Sequence, residues 1–224
     1  TLLGCAAAID GLRVTGRSRV PWNYSIRSWI TIVFDSVGGR GDQLALTMLS
    51  SPFVVGVYAV AVTCANAASG LAQGLVQASF SHFIDQEKTG SRPPIGRLAT
   101  IVAASTLCIG ILVVVLVSAY GTTIFGDDFA SLPPIVATLV MAAILQDIWK
   151  LRVARDAARE RAGLLAISSA VGLIVMVGFI VCLALAGHVN GLAKAIAFVI
   201  MCVTRLTVHV VLERLFDRGI WRTA

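Results

Sequence analysis

Six apolar stretches, each long enough to cross the roughly 30 Å hydrocarbon core of a bilayer as about 20 helical residues, leave this chain few ways to fold. They lie near 26–50, 53–83, 97–120, 133–150, 163–187 and 191–213. Lipid offers no hydrogen bonds, so each segment must satisfy its own backbone, which a helix does. The expected fold is therefore all-α, a polytopic bundle of six transmembrane helices. With 57% hydrophobic residues, 13% charged residues and a mean hydropathy of +0.86, the chain has more apolar surface than a soluble core needs.

Because successive spans alternate in direction, the basic residues of the connections test this topology. Of the 18 Lys and Arg residues, 15 fall at one set of ends: Arg13, Arg17, Arg19 and Arg27; Lys88, Arg92 and Arg97; Lys150, Arg152, Arg155, Arg159 and Arg161; Arg214, Arg218 and Arg222. The opposite connections, SSP (50–52), YGTTIFGDDFASL (120–132) and GHVN (187–190), contain none. The basic ends are expected to be cytoplasmic and the C-terminus with them. That asymmetry accounts for the net charge of +6 without nucleic acid as a partner. The loop RVARDAARERAG reads as a solvated turn of alternating charge, with contact to anionic lipid as the alternative.

The organisation expected is the tail of an earlier helix at 1–9, a cytoplasmic linker at 10–25, a six-helix lobe at 26–213 and a cytoplasmic tail at 214–224. The chain starts inside an apolar run, TLLGCAAAI, and reads as the C-terminal part of a longer protein. Five cysteines lie in apolar runs without metal-ligand spacing. No phosphate-binding G-x-x-x-x-G-K-[ST] loop, HExxH or G-x-S-x-G is present. Asp127-Asp128 lacks the further carboxylate, His or basic cluster that a metal-dependent glycosyl transfer would need. No enzyme activity, cofactor or metal is expected.

Polar groups deep in a span are costly, so each is a candidate for function. In FDSVGGRGDQLAL, Asp35 and Asp42 are seven apart and share one face within about 20°. Gly38, Gly39 and Gly41 surround Arg40 and would permit a kinked or unwound turn that brings it toward the acids. Such broken helices line transport cavities; the alternative is a close-packed Gly-x-x-Gly seam. In the second span Asn66, Gln73 and Gln77, interleaved with Gly70, Gly74 and Ser81, form a polar face suited to a sugar path or to interhelical amide bonds. In the sixth, Arg205, His209 and Glu213 stand at i, i+4 and i+8 and would either snorkel to the interface or capture phosphate, with His209 as a proton-sensitive neighbour. The third and fifth spans hold no internal ionisable residue and read as lipid-facing.

The segment GDQLALTMLSSPFVVGVYAVAVTCANAASGLAQGLVQASF resembles the seventh and eighth transmembrane segments of Wzx-type polysaccharide flippases of the multidrug/oligosaccharidyl-lipid/polysaccharide exporter superfamily. Asp42, Leu44 and Leu46 match the end of one span, and Gly56, Tyr58 and Ala61 match the G-x-Y-x-x-A that opens the next. Phe125, Gly126 and Phe129 resemble the family's outer F-G-x-x-F loop, and RVARDAARERAG its inner turn. The resemblance implies one lobe of a two-lobed transporter in a bacterial plasma membrane, moving a polyprenyl-diphosphate-linked oligosaccharide by alternating access. Its partners would be the lipid-linked glycan, membrane lipids, an N-terminal lobe absent from this sequence and polysaccharide polymerase machinery. On that reading Arg40 and Arg205 attract the diphosphate, Asn66, Gln73 and Gln77 line the sugar path, and Asp35, Asp42 and His209 couple an ion. The rivals are a drug or metabolite exporter, for which the polar faces carry few aromatics, and a non-transporting scaffold of cell-wall synthesis.

Overall fold

The structure, a computed structural model, describes residues 22–88, 95–159, 162–187 and 190–217; within these, some side chains, including those of Arg40 and Asp42, lie outside the description. The described residues form six long helices: α1 (Trp22–Leu49), α2 (Pro52–Lys88), α3 (Ile95–Phe125), α4 (Leu132–Ala158), α5 (Ala162–Leu185) and α6 (Gly191–Asp217). A single 3-10 turn, Asp127–Phe129, joins α3 to α4. Five of these helices, α2 to α6, are long and apolar enough to cross a membrane; in α1 the apolar stretch is shorter, Trp29–Gly39. The chain is a multi-pass helical membrane protein.

The centre of the bundle is α4, which packs against α2, α3 and α6. Its contact with α2 rests on small residues: Val57, Ala61, Ala65, Ala68, Ala72 and Val76 recur every three or four positions and are buried. Against this stripe α4 sets Leu132, Ile135, Val136, Leu139 and Val140. With little hydrophobic drive between helices in lipid, close backbone approach of this kind supplies dispersion contacts instead. The helix α5 bridges α1 and α6, and Met176, Ile180, Ala197, Met201 and Cys202 fill the α5–α6 contact. The outer face of α3, with Ile101, Leu107, Ile111, Leu112 and Val115, is exposed, as a lipid-facing helix should be.

Pro133 and Pro134 occupy the first turn of α4, where a missing N–H costs nothing. At the other end α4 departs from expectation. It runs on to Ala158, past the predicted boundary at 150, so most of RVARDAARERAG is helix and not a solvated turn. Ala and Arg are strong helix formers, and no Gly or Pro interrupts the run before Gly163. Arg155 and Asp156 are buried there.

A second departure concerns α1, which is helical without interruption through Gly38, Gly39 and Gly41. The expected unwound turn is absent. Gly38 is buried, and a Cβ on it would lie 3.2 Å from the Met201 sulfur of α6. Its neighbour Gly39 would meet nothing within 4 Å, because it faces a cavity.

Candidate functional site

One carboxylate ties four helices together. Asp35 of α1 accepts at Oδ1 from Ser169 Oγ of α5 at 2.9 Å and from Arg205 Nη1 of α6 at 2.9 Å. Its Oδ2 accepts from Trp149 Nε1 of α4 at 3.1 Å. The donors converge because Ser169, Trp149 and Arg205 are all buried on the inward faces of their helices. Close approach of α5 to α6 assists: a Cβ on Gly172 would lie 3.1 Å from Arg205 Cβ, so any larger residue there would have to push the two helices apart by a few tenths of an ångström.

The guanidinium of Arg205 is 2% exposed. Besides Asp35 it donates from Nη2 to Gln146 Oε1, and the Trp149 ring lies 4.4 Å from its Cζ, a cation–π contact. Its Nε is buried without a hydrogen-bond partner among the described residues. Gln146 Oε1 also faces Cys202 Sγ at 3.7 Å. Snorkelling to an interface is therefore not what Arg205 does; a helix-spanning ion pair holds it inside.

Beside this pair is a cavity of about 140 Å³ bounded by Gly39, Asn66, Ser69, Gln146 and Lys150, with an apolar wall that includes Phe198. Gln146 borders both the cavity and Arg205, and Gly39 stands one helical turn beyond Asp35. Lys150 Nζ lies 3.3 Å from Asp147 Oδ1, and Thr106 Oγ1 donates to the other oxygen of Asp147 at 2.9 Å.

Toward the basic end of the bundle a second cluster clamps α4 to α6. Arg155 Nε meets Asp156 Oδ1 at 2.9 Å, and its Nη2 lies 2.7 Å from Glu213 Oε1. Arg152 Nη1 meets Glu213 Oε2 at 3.0 Å, and His209 Nε2 lies 3.0 Å from Asp156 Oδ2. The two guanidinium groups and two carboxylates cancel, with His209 as the fifth member. Trp149 stands between the two clusters, its ring edge-on to His209 at 5.4 Å.

Of the residues singled out in the sequence, Asp35 and Arg205 thus form one ion pair, and Asn66 lines the cavity that Gln146 connects to it. His209 lies in the neighbouring clamp. Gln77 is exposed and Gln73 half-buried on α2, and neither borders the cavity. The side chains of Arg40 and Asp42 lie outside the described residues. Sequence reasoning missed Gln146, Asp147, Trp149 and Ser169. The signal was present as QDIWK, polar groups within an apolar stretch, but a span taken to end at 150 made it look like a boundary. Likewise α5 is not merely lipid-facing, since Ser169 reaches Asp35. No family model, curated protein or solved structure matches this chain.

Proposed function

We propose that this chain is a transmembrane lobe of a transporter that carries a polyprenyl-diphosphate-linked oligosaccharide across a bacterial plasma membrane, with the basic helix ends cytoplasmic. The observation that carries the reading is the buried Arg205 guanidinium paired with the partly buried Asp35, beside a cavity whose wall includes Asn66, Ser69, Gln146 and Lys150, within a bundle of membrane-crossing helices. Ionisable groups are retained at such depth where they serve a solute path. A guanidinium recognises phosphate oxygens through its planar fork, and the amides and hydroxyl of Asn66, Gln146 and Ser69 can bond a sugar without the desolvation cost of a charge. The resemblance of 41–80 to polysaccharide flippases points to the same cargo. Lipid, a second lobe and polymerase machinery are the partners this function would require.

The test is export of lipid-linked glycan in a deletion strain complemented with the full-length gene carrying Arg205→Ala, Arg205→Lys or Arg40→Ala, at matched membrane abundance. Loss of export with Arg205→Ala and partial recovery with Lys is the expected result. Equal export by every variant would remove the diphosphate role. A scaffold of cell-wall synthesis is the second reading, favoured by the pairing of Arg205 with Asp35, which is also what a packing contact looks like. It predicts unchanged export by the charge-swapped double variant Asp35→Arg/Arg205→Asp.

A further inference from the structure

We infer that Asp35 is a built-in stand-in for an anionic ligand: Arg205, with Gln146 beside it, forms a site for a phosphate-type dianion that opens when the Asp35 carboxylate leaves. The site deepens the transport reading above and rests on it for its physiological role.

The pairing of Arg205 is incomplete in a specific way. Asp35 meets it through one oxygen and one N–H, while its other oxygen is turned to Trp149. This is not the two-bond fork that a guanidinium makes with its best oxyanion partners. Arg205 Nε is left buried and without a hydrogen-bond partner among the described residues, although the residue is 2% exposed. A buried donor left unmade is unfavourable; that donor is on the Nε–Nη2 edge, while an oxyanion in place of Asp35 would address the Nη1–Nη2 edge, where it can take an N–H from each nitrogen and Asp35 takes one.

The two partners also differ in access. The Asp35 side chain is 26% exposed while that of Arg205 is 2%, so it is the acid that borders open space. Its helix α1 packs chiefly on α5 and only lightly on α6, so little packing opposes its separation from Arg205, though withdrawal of the acid must also break its bonds to Ser169 and Trp149. Removal of Asp35 would leave an uncompensated buried cation, a strongly unfavourable state that an incoming dianion relieves. The cavity next to it supplies hydrogen-bonding groups from Gln146, Asn66 and Ser69; Lys150 also borders it, but its ammonium is already paired with Asp147 at 3.3 Å, so Arg205 is the charge that draws the anion. The required chemistry is a doubly charged oxyanion, free or on a lipid headgroup.

The experiment uses the full-length protein in nanodiscs of zwitterionic lipid, titrated calorimetrically with inorganic pyrophosphate and with farnesyl diphosphate. Asp35→Asn should tighten binding about tenfold or more, because the fraction of protein with a free Arg205 rises. Arg205→Gln should abolish binding in either background. Binding of both probes makes any diphosphate a ligand; binding of the farnesyl form alone assigns the site to a lipid headgroup. Unchanged or weaker binding by folded Asp35→Asn overturns the inference. In case that variant does not fold, carbodiimide labelling of Asp35 in the wild type gives an independent reading. Saturating probe should increase labelling, and no increase overturns the inference. If Asp35→Asn tightens binding while glycan export ignores Arg205, the anion site stands and the cargo assigned above falls. If export needs Arg205 but Asp35→Asn does not tighten binding, the reverse holds.

Discussion

Thr106 shows how much a single hydroxyl can do inside this bundle. Its Oγ1 lies 2.9 Å from the fully buried Asp147 and 3.2 Å from the Val102 carbonyl one turn back. Lys150, the ionic partner of Asp147, is only partly covered, so the hydroxyl is the donor that stays dry. Thr106→Val keeps the shape and deletes the donor. It should destabilise the protein by about 1–2 kcal/mol, the upper range for interhelical bonds in membranes, whereas Thr106→Ser should cost little. Unfolding of both variants in detergent would check this, and equal stability of Val and Ser would show that Asp147 is satisfied without Thr106. The same scale marks the limit of sequence reading. Asp35 and Arg205 stood out because charges in apolar spans are rare, but Thr106, Ser169 and Trp149 are common in membrane helices. Only their partners give them meaning, and those are 41, 134 and 114 residues away in the chain.

Among the helices, glycine decides which pairs can approach. Gly172 lets α5 lie against α6, where an added Cβ would be 3.1 Å from Arg205 Cβ and 3.3 Å from the Met201 carbonyl oxygen. Neither can move without shifting the helix. Gly172→Leu should therefore destabilise the protein by about 1–3 kcal/mol, as overpacking does, and displace Arg205 from Asp35. Thermal unfolding should show the loss, and anion affinity should change in the same variant. Gly178, one further turn and a half along, has open space around it, so Gly178→Leu serves as the control. Sequence alone gives both glycines the same weight. The clamp of Arg152, Arg155, Asp156, His209 and Glu213 was equally hidden, because a loop of alternating charges reads as solvated until another helix supplies its counter-charges.

For the whole molecule, the polar face of α2 offers the broadest test of a solute path. Asn66 borders the cavity while Gln77 is exposed and Gln73 half-buried; the buried seam of α2 is its alanine stripe. Single cysteines at 66, 73 and 77, in a background lacking the native thiols, should react with a membrane-impermeant thiol reagent, and substrate should protect Asn66→Cys. Lack of reaction at all three would place this face against lipid or protein and not in a water-filled path.

The sequence by itself determined the solvent and the number of long helices. These follow from local quantities: the length of apolar runs and the need to bond each backbone within its own segment. It also located glycine-rich and charged points where something beyond packing was at stake. What only the tertiary structure decided was the meaning of those points: that α1 stays helical through its glycines, that α4 continues into the charged stretch and that Arg205 is held by Asp35. A buried charge takes its role from the groups that compensate it. Those groups come from helices far apart in the chain, where no local pattern can show which of them will meet.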